Sequence, residues 1–297
     1  MKRLNRIWIM LPLMLLFSCT EDIIIDLEEG EPMVGVEASF TNELKHHEAI
    51  LSYTANFYNS EDVELISGAH VFVTDGVDTI PYIESAEEPG HYFTDLVAGK
   101  KNTFYRLQVA VPDEREEDGF LHLTAESFMK DNVEFIDSLV MKPYQSVSGL
   151  PMFDTIICMY PYFQSLPDMS IVYMIDIWKN DTLQTDTLTS KMSIPMAGYA
   201  GYYINGEEFL QENMEIPISF TSQKKLHDGD RFKADIISIP TDYMVYVYSL
   251  SASLGSNPMM GPPSNVITNI QPQGKGVGWF YAASVVSAET VWHKPNR

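Results

Sequence analysis

Hydrophobic and polar residues alternate with period two through much of the chain. Tyr105, Leu107, Val109 and Val111 alternate with Arg106, Gln108 and Ala110, while Leu121, Leu123 and Ala125 oppose His122, Thr124 and Glu126. Ala69, Val71 and Val73 repeat the pattern, as do Ile171, Tyr173, Ile175 and Ile177, with Asp176 and Trp178 on the other face. Successive strand side chains point to opposite faces, so each run predicts a strand with one buried face. Turn signals separate the runs at Asp75-Gly76, Pro89-Gly90, Ala98-Gly99, Asn205-Gly206 and Asp228-Gly229, where glycine takes positive φ without steric cost. Short strands punctuated in this way predict an all-β fold of antiparallel sandwich or barrel type.

One stretch departs from that period. Tyr243, Val247, Leu250 and Leu254 fall at i, i+4, i+7 and i+11, which predicts a short helix near 241–254, with Thr241 or Asp242 capping its start and Gly255 ending it. A strand using Val245 and Val247 is the competing reading. The polar, charge-dense stretch 112–119 predicts a domain boundary, because no core could bury it without pairing its charges. That places an N-terminal immunoglobulin-like sandwich at 33–112 and a larger antiparallel β-sandwich or barrel domain, with the one helix, at 120–297. Residues 68–73, Gly90-His91-Tyr92 and 103–107 resemble immunoglobulin-like or carboxypeptidase-regulatory-like modules.

The first nineteen residues predict a location. Lys2, Arg3 and Arg6 precede the apolar stretch 7–17, the pattern of a secretion signal. As a helix, that stretch spans about 16 Å, half of the ~30 Å needed to cross the hydrocarbon core, so cleavage rather than permanent insertion is expected. Leu16-Phe17-Ser18-Cys19 resembles a bacterial lipobox, in which the Cys19 sulfur carries a diacylglycerol. Residues 1–18 are then the lipoprotein signal peptide. The acid-rich segment 19–32 is a tether that resembles the short acidic tag of surface-exposed Bacteroidota lipoproteins. The absence of Asp directly after Cys19 resembles outer-membrane rather than inner-membrane lipoproteins. Several acyl chains hold a protein on a membrane almost permanently, at roughly 0.8 kcal/mol per buried methylene.

Composition narrows the classes. The chain has 297 residues, of which 45% are hydrophobic and 20% charged, which excludes disordered, collagen-like and coiled-coil classes. Nineteen basic against 41 acidic residues give a formal charge of −22, which excludes nucleic acid as a partner. Losing residues 1–18 removes Lys2, Arg3 and Arg6 and no acid, so −22 becomes −25 in the mature chain. A protein this acidic is repelled by anionic lipid surfaces, which leaves the acyl group as its attachment.

No catalytic residue, metal ligand or cofactor site emerges from the motifs. None of the seven His residues lies in the His-Glu-x-x-His spacing that places two imidazoles around zinc. His46 and His47 are read as a solvated pair, since adjacent strand residues point to opposite faces. Glu114, Glu116, Asp118 and Gly119 fit the first places of a calcium loop, but Ala125 stands where its bidentate Glu belongs. There is no Gly-x-Ser-x-Gly elbow, and Cys158 lies in the apolar run 156–160, where a thiolate is disfavoured. Gly274-Lys275 lacks the first glycine of a phosphate loop, Asn269 standing in its place, and reads as a turn into the final strand.

Two segments carry binding chemistry. Tyr199, Tyr202 and Tyr203 stand among glycines in 196–206, offering rigid aromatic platforms for a glycan or peptide. Met259 and Met260 lie in a Pro-stiffened apolar loop at 256–264 and offer an adaptable surface for a protein partner. The tripeptide Asp-Thr/Ser-aliphatic recurs and resembles the O-glycosylation acceptor of secreted Bacteroidota proteins, Thr182 and Thr187 being the foremost sites.

Taken in order, several features resemble one family: the lipobox at Cys19, Ser67-Gly68-Ala69, Gly90-His91-Tyr92, 135–139, Asp228-Gly229-Asp230, the Tyr-rich helix, and 263–280. This is the Bacteroidota family catalogued as domain of unknown function 4249. The resemblance implies a surface lipoprotein often encoded beside TonB-dependent outer-membrane transporters, with no catalytic residues assigned. The expected function is therefore a non-enzymatic, outer-membrane accessory that captures a peptide or glycan ligand for such a transporter. A fimbrillin-like structural or adhesion subunit is the alternative, and a surface hydrolase a weaker one.

Overall fold

The computed structural model describes residues 32–54, 63–131, 133–143, 155–165, 171–184, 203–205, 219–254 and 266–295. Within 32–297, one compact unit, the N-terminal strands are β1 (Val34–Thr41), β2 (Glu48–Tyr53), β3 (His70–Thr74), β4 (Thr79–Glu84), β5 (His91–Thr94), β6 (Thr103–Pro112) and β7 (Phe120–Met129). Then come β8 (Val133–Pro143), β9 (Ile156–Ser165), β10 (Ile171–Lys179), β11 (Thr182–Leu183), β12 (Tyr203–Asn205) and β13 (Ser219–Ser222). The chain continues through β14 (Arg231–Pro240), the helix α1 (Thr241–Leu254) and β15 (Gly276–Val291). The architecture is all-β and sandwich-like with one helix, and no closed barrel forms among the described residues.

Twelve strands form a single sheet in the order β11-β10-β14-β15-β1-β2-β5-β4-β3-β6-β7, with β12 also on β10. The sixteen-residue β15 joins its halves. Its first half runs parallel to β1, from Val34 opposite Gly276 to Thr41 opposite Ala283. Its second half runs antiparallel to β14, from Ser238 opposite Ser284 to Arg231 opposite Val291.

The alternation read in the sequence has its physical cause in one core. Val71, Val73, Tyr105, Leu107, Val109, Val111, Leu121, Leu123 and Ala125 point inward with Phe40, Tyr92, Phe280 and Ala282. Because Phe280 and Ala282 belong to the last strand, the N-terminal strands share their core with the C-terminal end. The stretch 112–119 is correspondingly a turn rather than a boundary. It closes the β6–β7 hairpin, in which Pro112 faces Phe120 and the Asp113 N–H donates to Gly119 O at 2.8 Å. Its charges are paired or exposed, with Arg115 on Asp113 and His122 on Asp118.

The β10–β14 region is buried on both faces. Ile175, Ile177, Phe232 and Ala234 pack with Leu139, Ile157 and Met159 of a separate three-stranded sheet, β13-β9-β8. On the other face, Met174, Ile237, Ile239, Ala283 and Val285 meet Tyr243 and Met244 of α1. Asn180 and Asp181 both adopt positive φ, 48° and 64°, the pair that a two-residue hairpin turn demands, and this turn closes β10 onto β11.

His47 differs from its solvated reading. It is buried at 1% exposure, its ring 4.5 Å from that of Phe40. Nδ1 accepts from the Thr41 N–H at 3.4 Å, so the proton sits on Nε2, which donates to Val97 O at 3.1 Å. Burial pushes its pKa from the ordinary 6.5 down to about 4. Between those values the unfolded chain binds the proton that the folded chain refuses, so stability falls as the pH drops from 6.5 to 4. The expected loss is on the order of 2–3 kcal/mol. Urea titrations at stepped pH check it, and a His47→Gln variant should lack this part of the slope.

Candidate functional site

β14 ends at Pro240 and the chain turns directly into α1, which folds back over β15 because Val247 (3% exposed), Tyr243 and Met244 share its inward side. This fold-back sets aromatic rings on aromatic rings. Tyr246 stacks on Trp279 at 5.3 Å, Tyr243 lies 4.6 Å from Tyr281, and Tyr243 lies 6.2 Å from Trp279. Parallel pairing places Glu37 of β1 beside Trp279 and Ser39 beside Tyr281.

Trp279 forms the shared wall of two cavities. The smaller, about 140 Å³, is lined by Glu37, Ser39, Glu48, Ile50, Tyr243, Tyr246 and Tyr281. The larger, about 420 Å³, is lined by Phe104, Glu126, Phe128, Lys130, Asp242 and Asn269, among others. Phe104 is 69% exposed and rests on Phe128 at 4.6 Å. Asn269 fixes the strand here: its Nδ2 donates to Phe280 O at 2.7 Å and its Oδ1 accepts from the Phe280 N–H at 3.1 Å.

The indole N–H of Trp279 has no acceptor in this structure, although the residue is only 6% exposed. A buried donor left unsatisfied costs on the order of 1–3 kcal/mol, and such donors in natural proteins call for a specific explanation. The Ser238 hydroxyl, inside β14, shares this condition but lines neither cavity. Burial and the Glu37 charge push the Tyr246 phenol up to about 12, so it stays a protonated donor at neutral pH. Glu48 is engaged by His91 at 2.7 Å.

A third cleft, about 230 Å³, lies among Trp178, Asp181, Arg231, Phe232, Lys233 and Glu289. Its cations are already used. Arg231 pairs with Asp181, and Lys233 reaches Asp235 at 2.9 Å while lying over the Trp178 ring at 5.4 Å. Asp235 is buried and also accepts from Trp178 Nε1 at 2.7 Å and Ser287 Oγ at 2.5 Å. This network ties three strands together rather than awaiting a ligand.

Cys158 is buried, and burial pushes its thiol up to about 12, which suppresses the reactive thiolate. Among the described residues, no group of three His, Cys, Asp or Glu side chains could hold a metal ion. His46 and His47 are turned to backbone carbonyls of Thr94 and Val97.

Of the residues singled out in the sequence, Thr182 is exposed at the sheet edge, where β11 pairs with β10. Tyr203 pairs through its backbone with Met174 of β10. Cys19, Thr187, Tyr199, Tyr202, Met259 and Met260 lie outside the described residues. The cleft at Trp279 is built from residues that the sequence offered only as helix or strand formers, such as Tyr243, or did not single out, such as Glu37 and Glu48. The available signal was the i, i+3 aromatic pair Tyr243 and Tyr246 together with Trp279-x-Tyr281.

Comparison with known proteins bears on the half of the site supplied by β1 and β2. Residues 20–147 match the family model described as Domain of unknown function (DUF4249). Glu37 and Glu48 fall inside that match, whereas Tyr243, Tyr246, Trp279 and Tyr281 lie beyond it. No curated protein matches the chain. A solved structure described as "Cytokine receptor complex - Crystal form 1A" aligns at 9% identity over 70% of this chain and 84% of that one. Its TM-score of 0.22 is too low to carry an argument. No helix among the described residues is long and apolar enough to cross a membrane.

Proposed function

We propose that the protein is a non-enzymatic, lipid-anchored component of the outer membrane that captures a ligand in the Trp279 cleft on behalf of a TonB-dependent transporter. The observation that carries the binding part is the pair of cavities that share Trp279 as a wall, a residue whose buried indole N–H has no acceptor. Concave sites with few polar groups among aromatic rings are the usual form of a ligand pocket. The anchor rests on the lipobox ending at Cys19 and the acidic segment behind it, and the transporter on the family resemblance, which the DUF4249 match over 20–147 supports.

Purification of the tagged full chain from native outer membranes in mild detergent tests this reading. The expected result is a chain acylated at Cys19 that co-purifies with an outer-membrane transporter. A free Cys19 thiol in a soluble periplasmic fraction would overturn the anchor. An acylated chain recovered without any transporter would overturn the accessory role.

A further inference from the structure

We infer that the smaller cavity beside Trp279 is a cation site that takes the lysine side chain of a peptide. This rests on the ligand-capture reading above and names the class of ligand.

Charge complementarity is the first reason. Among the described residues, the cavity wall carries two carboxylates, Glu37 and Glu48, and no basic side chain. Glu48 is engaged by His91, but Glu37 makes no ion pair among the described residues. The rest of the wall is largely aromatic, and ring faces carry the negative end of their quadrupole outward. An ammonium beside Trp and Tyr rings gains from this, the more so where water is excluded. Aliphatic methylenes of the same side chain would lie against Ile50 and the rings.

Size is the second reason. About 140 Å³ corresponds to roughly five water volumes at ~30 Å³ each. That admits an alkylammonium tail. The third is the Trp279 indole, whose buried N–H has no acceptor in a residue that walls the cavity. A shift of that side chain on binding would bring the N–H to a peptide carbonyl beside the lysine, which a bare cation does not offer.

The test is an NMR titration of the full mature chain with Nα-acetyl-lysine N-methylamide, with its neutral norleucine analogue and with cellobiose. The lysine derivative should shift the resonances of the Trp279 cleft saturably, and added salt should weaken it. Glu37→Gln, a change at an exposed position that leaves the fold intact, should reduce its affinity at least tenfold. The norleucine analogue and cellobiose should not saturate. Saturable cellobiose binding at the cleft, unaffected by Glu37→Gln, would overturn the cation assignment while leaving ligand capture standing. A cleft that no probe perturbs would overturn both.

Discussion

Gly278→Val is expected to abolish the native fold. Gly278 sits at φ +107° within β15, and a Cβ built on it would lie 2.1 Å from Val36 O, 2.9 Å from Val36 C and 3.0 Å from Val36 N. All three obstacles are backbone atoms of the facing residue in β1, so no side chain can swing aside. The two strands would have to part, and with them the only parallel pairing among the described strands and the core that Phe280 and Ala282 complete. Together with the strain of positive φ in a β-branched residue, the expected loss exceeds about 4 kcal/mol, a large share of a typical domain's stability. Urea denaturation or the soluble yield reads the result. Gly76 provides the control: its φ is +87° but nothing lies within 4 Å of the added Cβ. Gly76→Asn is therefore expected to cost only about 1 kcal/mol.

Asp235→Ala is expected to cost about 3–4 kcal/mol. The carboxylate is buried at 5% exposure and serves three partners, Trp178, Ser287 and Lys233. Truncation strands the indole and hydroxyl donors and frees a lysine ammonium that remains partly solvated. Asp235→Asn preserves shape and one acceptor, so it should fall between the two. Denaturant midpoints of the three proteins check the order.

These two residues also show what a one-dimensional pattern can reveal. Strands β6 and β7 were legible because only one of their faces is buried, so inward Leu107 and Leu123 stand out against outward Gln108 and Thr124. In β10, Met174 and Ile175 are both fully buried, since one faces α1 and the other the three-stranded sheet, and alternation no longer separates inside from outside. The helix was legible from its i, i+4, i+7 spacing. The stretch 112–119 reads as a boundary in the sequence because a hairpin loop and an interdomain segment have the same polar composition. His47 looked solvated because nothing local signals that Thr41, Thr94 and Val97 close around it.

The site was hidden for a related reason. Glu37 and Trp279 stand more than two hundred residues apart and meet only because β1 runs parallel to β15, and parallel neighbours leave no hairpin signature. Tyr246 joins them through the immediate turn from β14 into α1. The helix and the final strand were visible separately, β1 was not, and their convergence is a property of topology.

Ligand capture at the Trp279 cleft is tested most directly by the resonance of that residue's own indole N–H. The indole signal of the ¹⁵N-labelled mature chain, assigned by its loss in Trp279→Phe, is followed as the tripeptide trilysine is added. A saturable downfield shift of that signal, with those of Trp178 and Trp292 unmoved, is the expected result. A stationary Trp279 signal at saturating peptide would contradict the account.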